Sequence, residues 1–271
     1  MKRTYLLIFL LFPLLTFSQN SLNGFYLRAD YESSRLYTFD FNDFYRSYND
    51  YYSQNLAQPW DTLSPAVFSH PNFGAGFRLA PGEEAGIAGG LLITYGRSKH
   101  SQASQFNNGI TLKNDFIIRD LNVQTDWGFH WNQTVFLQGH MNARIRRPTA
   151  IMGYIYQDGS YSIGDEYDIL GVYKTTTVTL DLGASLGVRL GRLFIPFSVI
   201  FPTNAFSDDG LLTIMDFEKR QIRWNDLPRD YKTWADDPAN IDLDNGFVRA
   251  QSFRAVRFTL GIEYRLFPNK Q

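Results

Sequence analysis

The chain has 271 residues, a formal net charge of −1 at pH 7, no cysteine, and an aromatic content of 16%. The near-neutral charge argues against nucleic acid as a partner, and the absence of cysteine excludes disulfides and a lipidated N-terminal cysteine. Beyond the N-terminal leader no apolar run is long enough for a helical span, so a membrane protein of this composition would have to be a β-barrel.

The N-terminus is predicted to be a signal peptide. Lys2 and Arg3 precede an apolar run over residues 5–17, and Thr16 and Ser18 are the small residues before Gln19. This order is typical of a secretory leader that is cleaved. We therefore expect residues 1–18 to be removed and residues 19–271 to form a single outer-membrane β-barrel domain.

The first part of the mature chain is predicted to contain three strands. Residues 25–32 alternate between apolar and charged side chains, which is the period of a half-buried strand. Residues 33–70 lose this pattern and are interpreted as a long loop. Residues 73–79 and 87–95 alternate again around the turn sequence PGEEAG, which predicts a hairpin. Residues 100–109, rich in Ser, Gln and Asn, are interpreted as a second loop.

The middle of the chain repeats this order of long and short connections. Strands are predicted over residues 121–131 and 137–146 with a short turn between them, and a third loop follows over residues 148–174. Two more strands, 178–189 and 193–201, flank a turn at Gly191 and Arg192. Pro196 cannot donate to a ladder, so we expect a bulge or a weakened hydrogen bond near it. A fourth long segment covers residues 202–251.

The last stretch, residues 252–267, alternates between apolar and charged side chains over more positions than most soluble strands. It completes about eight strands with alternating long and short connections, as in bacterial outer-membrane barrels. We therefore predict an all-β fold: an eight-stranded antiparallel up-and-down transmembrane barrel in the outer membrane of a Gram-negative-type bacterium. The loops would be extracellular and both termini periplasmic. A soluble β-sandwich is less favoured, because the strands are long and aromatic residues cluster near strand ends.

In overall plan the mature chain resembles the small eight-stranded barrels of the OmpA and OmpX type. The resemblance implies a lumen that side chains fill, and therefore no substantial conductance. Guanidinium groups can pair with several carboxylates at once, so an arginine-rich interior suits a buried charge network. The residues assigned to this network by alternation are Arg28, Asp30, Glu32, Arg78, Asp126, Arg144, Arg146, Asp181, Arg189, Arg257, Glu263 and Arg265.

Aromatic residues crowd the first loop and recur in the fourth. Two interpretations remain open: the rings pack on one another as a cap over the barrel, or they form a surface that binds a partner. The candidate partner-binding residues are Tyr37, Phe39, Phe41, Phe44, Tyr45, Tyr48, Tyr51, Tyr52, Trp60, Trp224, Tyr231 and Trp234.

The sequence does not favour either of two kinds of chemical site. An esterase like the lipid A deacylases would need a serine beside a histidine, and His100 lies near Ser98, Ser101 and Ser104 but lacks the His-x-Ser spacing. The acidic stretch 236–246 misses the register of a calcium-binding loop. We expect no catalytic residues, no metal and no cofactor.

The sequence therefore predicts a non-enzymatic outer-membrane barrel whose loops bind a partner, as an accessory subunit of a larger surface complex. Its surroundings would be outer-membrane lipid and lipopolysaccharide, and its partners other outer-membrane or surface proteins. The alternatives are a lipid-modifying enzyme of the lipid A deacylase kind and a stand-alone adhesin or structural barrel.

Overall fold

The computed structural model describes residues 24–34, 39–64, 69–80, 84–163, 170–174, 176–203, 222–223, 228–236 and 256–266. The predicted signal peptide lies outside them. The strands are β1 (Gly24–Ser34), β2 (Leu56–Gln58), β3 (His70–Leu79), β4 (Ala85–Phe106), β5 (Thr111–Trp131), β6 (Val135–Ile155), β7 (Tyr161–Ser162), β8 (Gly171–Lys174), β9 (Thr177–Leu190), β10 (Leu193–Pro202), β11 (Ile222–Arg223) and β12 (Arg257–Arg265). The helices are α1 (Phe39–Tyr51) and α2 (Tyr231–Asp236). Neither of these helices is both long and apolar enough to cross a membrane.

Eight of the strands close into a ring in the order β1, β3, β4, β5, β6, β9, β10, β12 and back to β1. Every neighbouring pair in the ring is antiparallel. The closing contact joins the first and last strands, with Tyr26 opposite Arg265 and Ser34 opposite Arg257. The predicted eight-stranded antiparallel barrel is confirmed.

The polarity of the barrel is the reverse of that in a soluble protein. On β1, Phe25, Leu27 and Tyr31 are 48%, 50% and 56% exposed on the outer surface. Arg28 and Glu32 alternate with them and are buried inside. A continuous apolar outer surface is costly in water, but it is what a transmembrane barrel presents to lipid.

The two ends of the barrel differ. One end, the turn end, contains the first and last described residues, Gly24 and Leu266, the end of β3, the start of β4, and the short connections over residues 132–134 and 191–192. Asn132 and Gln133 take left-handed φ values of 48° and 50°, and Gly191 takes 63°, as tight hairpin connections require. The opposite end, the loop end, contains α1, α2, the four-residue connection 107–110 and the described parts of the longer connections.

Three strands at the loop end are longer than the sequence predicts. The loop expected over residues 100–109 is strand as far as Phe106, and the loop expected from residue 148 is strand as far as Ile155. Long polar side chains on the outer face obscured this extension, because alternation there no longer separates apolar from charged residues. The first predicted loop also contains the helix α1.

The expected irregularity at Pro196 is present as missing pairs rather than as a bulge. Pairing of β10 with β9 runs through Pro196 opposite Gly187 without a shift of register. Pairing of β10 with β12 lacks Ile195 and Pro196 and resumes at Phe197 in the same register. The missing backbone N–H of proline thus weakens one side of the strand only.

Candidate functional site: the lumen network and the cap

The barrel interior holds a network of arginines and carboxylates. Within the described residues the buried arginines are Arg28, Arg78, Arg144, Arg146 and Arg257, and the buried acids are Asp30, Glu32, Asp120, Asp126, Asp181 and Glu263. Alternation places them inside, because neighbouring residues of a strand point to opposite faces. The five positive and six negative groups are nearly balanced, so most of them can pair with one another.

In the half of the lumen near the turn end, Glu263 joins two arginines. Its carboxylate lies 3.1 Å from Arg28 Nη1 and 2.7 Å from Arg78 Nη1. Arg28 Nε also donates to Asp30 at 2.8 Å. The Arg78 guanidinium lies 4.1 Å from the ring centroid of Phe194 and 5.1 Å from that of Tyr26. Arg78 therefore closes this end with both an ion pair and cation–π contacts.

In the half near the loop end, Glu32 and Asp120 share the remaining arginines. Glu32 accepts from Arg144 at 2.7 Å and lies 3.4 Å from Arg257. Asp120 pairs with Arg144 and accepts from Arg146 Nε at 2.9 Å. Arg257 also pairs with Asp181. Asp126 belongs to the turn-end half, where Gly90 lies opposite both Asp126 and Arg78, and it accepts from Gln124 at 2.6 Å.

Two of the predicted lumen residues are not fully inside. Arg189 and Arg265 are only half-buried and lie at the turn end. Arg189 Nε donates to the backbone oxygen of Gly191 at 2.7 Å, within the adjoining turn. β9 ends one residue after Arg189, and β12 ends at Arg265 itself. These two residues therefore belong to the rim of the barrel.

Glu32, His70 and Asp120 bring potential metal-ligand atoms within 4.8 Å of one another. The neighbouring guanidinium groups already donate to both carboxylates, and the positive charge of the arginines opposes a cation at that point. The arrangement is suited to an ion-pair network. Asp120 and His70 were not predicted, although Asp120 has the same alternation as Asn122 and Asp126.

The loop end is closed by a second apolar core, which we call the cap. It comprises the buried face of α1, residues Trp60 and Leu63, Leu170, Tyr173 and Tyr231, and the inward faces of β5 and β6 above the lumen. On β5 the inward residues change from Asp120 and Asn122 in the lumen to Leu112, Phe116 and Ile118 in the cap.

The cap places most of the predicted aromatic residues in its interior. Phe41, Phe44, Tyr45 and Tyr48 of α1 are at most 2% exposed, and Trp60, Tyr231, Tyr52 and Trp234 pack with them. Tyr51 is 40% exposed. The described rings thus form the packed cap that was one of the two interpretations. Tyr37, Trp224 and the side chain of Phe39 lie outside the described residues.

Polar side chains fix α1 in the cap. Asn49 accepts from the backbone N–H of Trp60 at 2.9 Å and donates to its carbonyl at 3.0 Å. Asn42, two turns earlier, bonds Leu63 in the same two-way manner at 2.7 and 3.3 Å. Tyr45 accepts from Asn114 of β5 at 2.9 Å.

A polar contact joins the two helices. Asp230, just before α2, accepts from Ser47 of α1 at 2.6 Å and from Thr233 at 2.8 Å. The Ser47 hydrogen bond, together with those from Thr233, holds the pKa of Asp230 below its usual range. Arg229 pairs with Asp43 at 2.9 Å. An open groove of about 580 Å³ lies along this contact.

The predicted catalytic candidates do not come together within the described part of the chain. Ser101 is exposed on the outer face of β4 and donates to Asp115 at 2.5 Å. His100 lies on the opposite face of β4 from Ser101, which is also the face of the buried Ser98 and Ser104. Of the acidic stretch 236–246, the structure describes only Asp236, so the calcium question lies outside the described residues.

No protein-family model matches the chain, and no curated protein does. A search of solved structures matches the crystal structure of Ail, the attachment invasion locus protein of Yersinia pestis, in complex with the heparin analogue sucrose octasulfate. The two chains are 13% identical, with a TM-score of 0.37, and the match covers 90% of this chain and 99% of Ail. The closed ring of strands and its reversed polarity make this chain an eight-stranded β-barrel of the outer-membrane type.

Proposed function

We propose that this protein is a non-enzymatic outer-membrane barrel that presents its cap outside the cell and binds another outer-membrane or surface protein there, as an accessory subunit. The observation that supports this most is the extension of β4, β5 and β6 beyond the barrel to carry a folded cap. A barrel needs no such platform to cross a membrane, because a tilted strand of ~9–11 residues is enough.

The proposed orientation follows the general plan of bacterial barrels. Short turns face the periplasm and longer connections face outward. Both described termini lie at the turn end with the short connections. The cap would then be extracellular, in a position to meet a partner.

The proposed binding surface is the exposed side of the helices rather than their buried aromatic side. Arg46 and Asp50 of α1 and Lys232 of α2 are exposed and line the groove, and Tyr51 is exposed at the end of α1. Arginine and tyrosine are enriched at protein interfaces. The buried rings would serve binding indirectly, because a rigid cap loses little conformational freedom when a partner docks.

The absence of catalysis is part of the proposal. A serine esterase needs its nucleophile and base within hydrogen-bond reach, and Ser101 and His100 lie on opposite faces of β4. The serine hydroxyl is also engaged by Asp115. The cap and its exposed polar surface therefore support a binding role better than a lipid-modifying one.

The test uses the protein purified from its native membrane in mild detergent after brief cross-linking. We expect a defined partner to co-purify with the wild type and to be lost from the triple variant Arg46→Glu, Asp50→Lys, Lys232→Glu. Reversing the charge of Arg192, which is exposed at the turn end, is the matched control and should keep the partner. Equal recovery of the partner with the triple variant and with the Arg192 variant would contradict the proposal. Altered lipid A after deletion of the gene would also contradict it.

A further inference from the structure

A row of three arginines crosses the outer face of the barrel at the loop end. Arg97 of β4 lies directly opposite Arg119 of β5, and Arg119 lies directly opposite Arg147 of β6. All three side chains are exposed. They have the same alternation as the outward-facing Tyr95 and Leu121, so they point away from the lumen and the cap.

The row stands at the edge of the apolar outer band. From the turn end to the row, the outward residues of β4, β5 and β6 carry no charge over 85–95, 121–131 and 135–145. Segments of this length match the ~9–11 residues with which a tilted strand crosses the hydrocarbon core. The row therefore lies at the height of lipid headgroups.

The three charges have no counter-ion within the protein as far as it is described. Neighbouring strands are about 4.8 Å apart, and like charges directly opposite one another destabilise a sheet. Among the described residues, no ion pair joins Arg97, Arg119 or Arg147 to a carboxylate. An anion from elsewhere would offset this repulsion and stabilise the sheet.

The three outward positions beyond the row show the contrast. Further from the apolar band, Lys99 and Lys113 both lie beside Asp115, at Nζ–Oδ2 distances of 3.2 and 3.1 Å. Burial acts to raise the pKa of Asp115, but the hydrogen bond from Ser101 and those from the lysines hold it below its usual range. Asp115 is thus the counter-ion of these two lysines, whereas the arginine row has no such carboxylate among the described residues.

The anion that fits is a phosphate. Guanidinium groups bind phosphate oxygens in a planar, bidentate geometry, and phospholipid headgroups carry phosphates at this height. We propose that Arg97, Arg119 and Arg147 bind a phosphate group of a lipid headgroup in the leaflet at the loop end. With the orientation proposed above, the source is the phosphorylated lipid A of lipopolysaccharide. The site lies on the opposite face of the strands from the cap, so it does not depend on the partner proposal.

The experiment reconstitutes the full-length mature protein in phosphatidylcholine nanodiscs doped with lipid A or, separately, with phosphatidylglycerol. Native mass spectrometry counts the doped lipids that stay bound. We expect each Arg→Gln change in the row to weaken retention of lipid A about fivefold and the triple change about 100-fold, from the attraction of each basic residue to an anionic surface. Phosphatidylglycerol should be retained less well than lipid A.

The matched control is the variant Lys99→Gln, Asp115→Asn, Lys113→Gln, which alters the same face one to three outward positions beyond the row and should retain lipid A like the wild type. The variant with lysine at all three row positions keeps the charge but loses the bidentate geometry, and we expect intermediate retention. Heat-modifiable migration on gels verifies that each variant is folded. Unchanged retention in the Arg→Gln triple variant, or displacement of lipid A by inorganic phosphate, would overturn the assignment.

Discussion

Asp120 is the residue on which the loop-end half of the lumen network converges. It is fully buried and pairs with Arg144 and Arg146. Its Oδ2 also lies 3.3 Å from His70 Nε2. Taking such charges out of water is costly, and only their mutual pairing offsets that cost. Removing one of these charged groups therefore leaves its partners buried with an uncompensated charge.

Replacing Asp120 with asparagine is expected to lower the free energy of unfolding by about 3–5 kcal/mol, because two guanidinium groups lose a buried partner. Urea titration of the barrel in phospholipid vesicles, followed by tryptophan fluorescence, measures the change. Asp43→Asn is the control, since Asp43 pairs with Arg229 but is partly exposed, and a change of about 0–1 kcal/mol is expected. Comparable losses in the two variants would contradict the role of burial.

Asp230 gives the cap a dependence on pH. Its pKa in the folded protein lies below the usual value, chiefly through the Ser47 hydrogen bond. A carboxyl group with a lowered pKa stabilises the fold above its unfolded pKa near ~4, and this contribution is lost as the pH falls through the folded value. The wild type should therefore exceed Asp230→Ala in cap stability at pH 7, and the difference should shrink towards pH 3.

Near-ultraviolet circular dichroism during heating follows this difference, because the cap contains a dense cluster of tyrosines. Asp50→Ala, on the exposed side of α1, is the control and should behave like the wild type at both pH values. A difference in cap stability between the wild type and Asp230→Ala that grows on acidification would contradict a lowered pKa for Asp230.

At the scale of elements, α1 illustrates what sequence patterns miss. Its residues Phe39–Tyr51 are mostly aromatic, Asn, Asp and Ser, which are only moderate or poor helix formers. The helix is held by tertiary contacts: Phe41 packs on Phe116 with ring centroids 5.2 Å apart, and Tyr45 packs on Trp60 at 5.0 Å. Such partners are distant in sequence, so local propensity cannot reveal them.

Phe44 lies at the centre of this packing and is fully buried. Phe44→Ala is expected to destabilise the cap by about 3–5 kcal/mol, because it leaves a cavity among aromatic rings. The barrel should remain folded, since its strands are paired independently of α1. Limited proteolysis in detergent should then cleave the loop-end segments of the variant while the barrel is protected.

Arg46→Ala is the control on the same helix, because its side chain is 69% exposed and its removal should leave the proteolysis pattern unchanged. Cleavage within the barrel strands of Phe44→Ala would show instead that cap and barrel unfold together.

The strands were the predictable part of the fold for a physical reason. Each alternates every second residue between lipid and lumen, so residues such as Arg28 and Glu263 could be assigned to the interior from sequence. Beyond the bilayer this rule weakens, because the outer face of β4 becomes polar at Ser101 and Gln105 while the inner face of the neighbouring β5 becomes apolar at Phe116. The extensions of β4, β5 and β6 were missed for that reason, and the packed cap was one of two interpretations that the sequence left open.

At the scale of the whole molecule, the chain consists of three stacked zones: the aromatic closure around Arg78 at the turn end, the charged lumen, and the aromatic cap. The interior of an eight-stranded barrel is only wide enough for side chains, and the described arginines and carboxylates span it in ion pairs.

We therefore expect no stable single-channel current from the wild type in planar bilayers, because ions would have to cross both the paired charges and the packed rings. The double variant Glu32→Ala, Arg144→Ala removes both members of one lumen pair and tests whether the network is the barrier. If the cap alone closes the barrel, this variant also stays silent; if the network matters, brief currents appear. Arg46→Ala on the exposed side of α1 is the silent control, and a stable wild-type current would show that the zones do not seal the lumen.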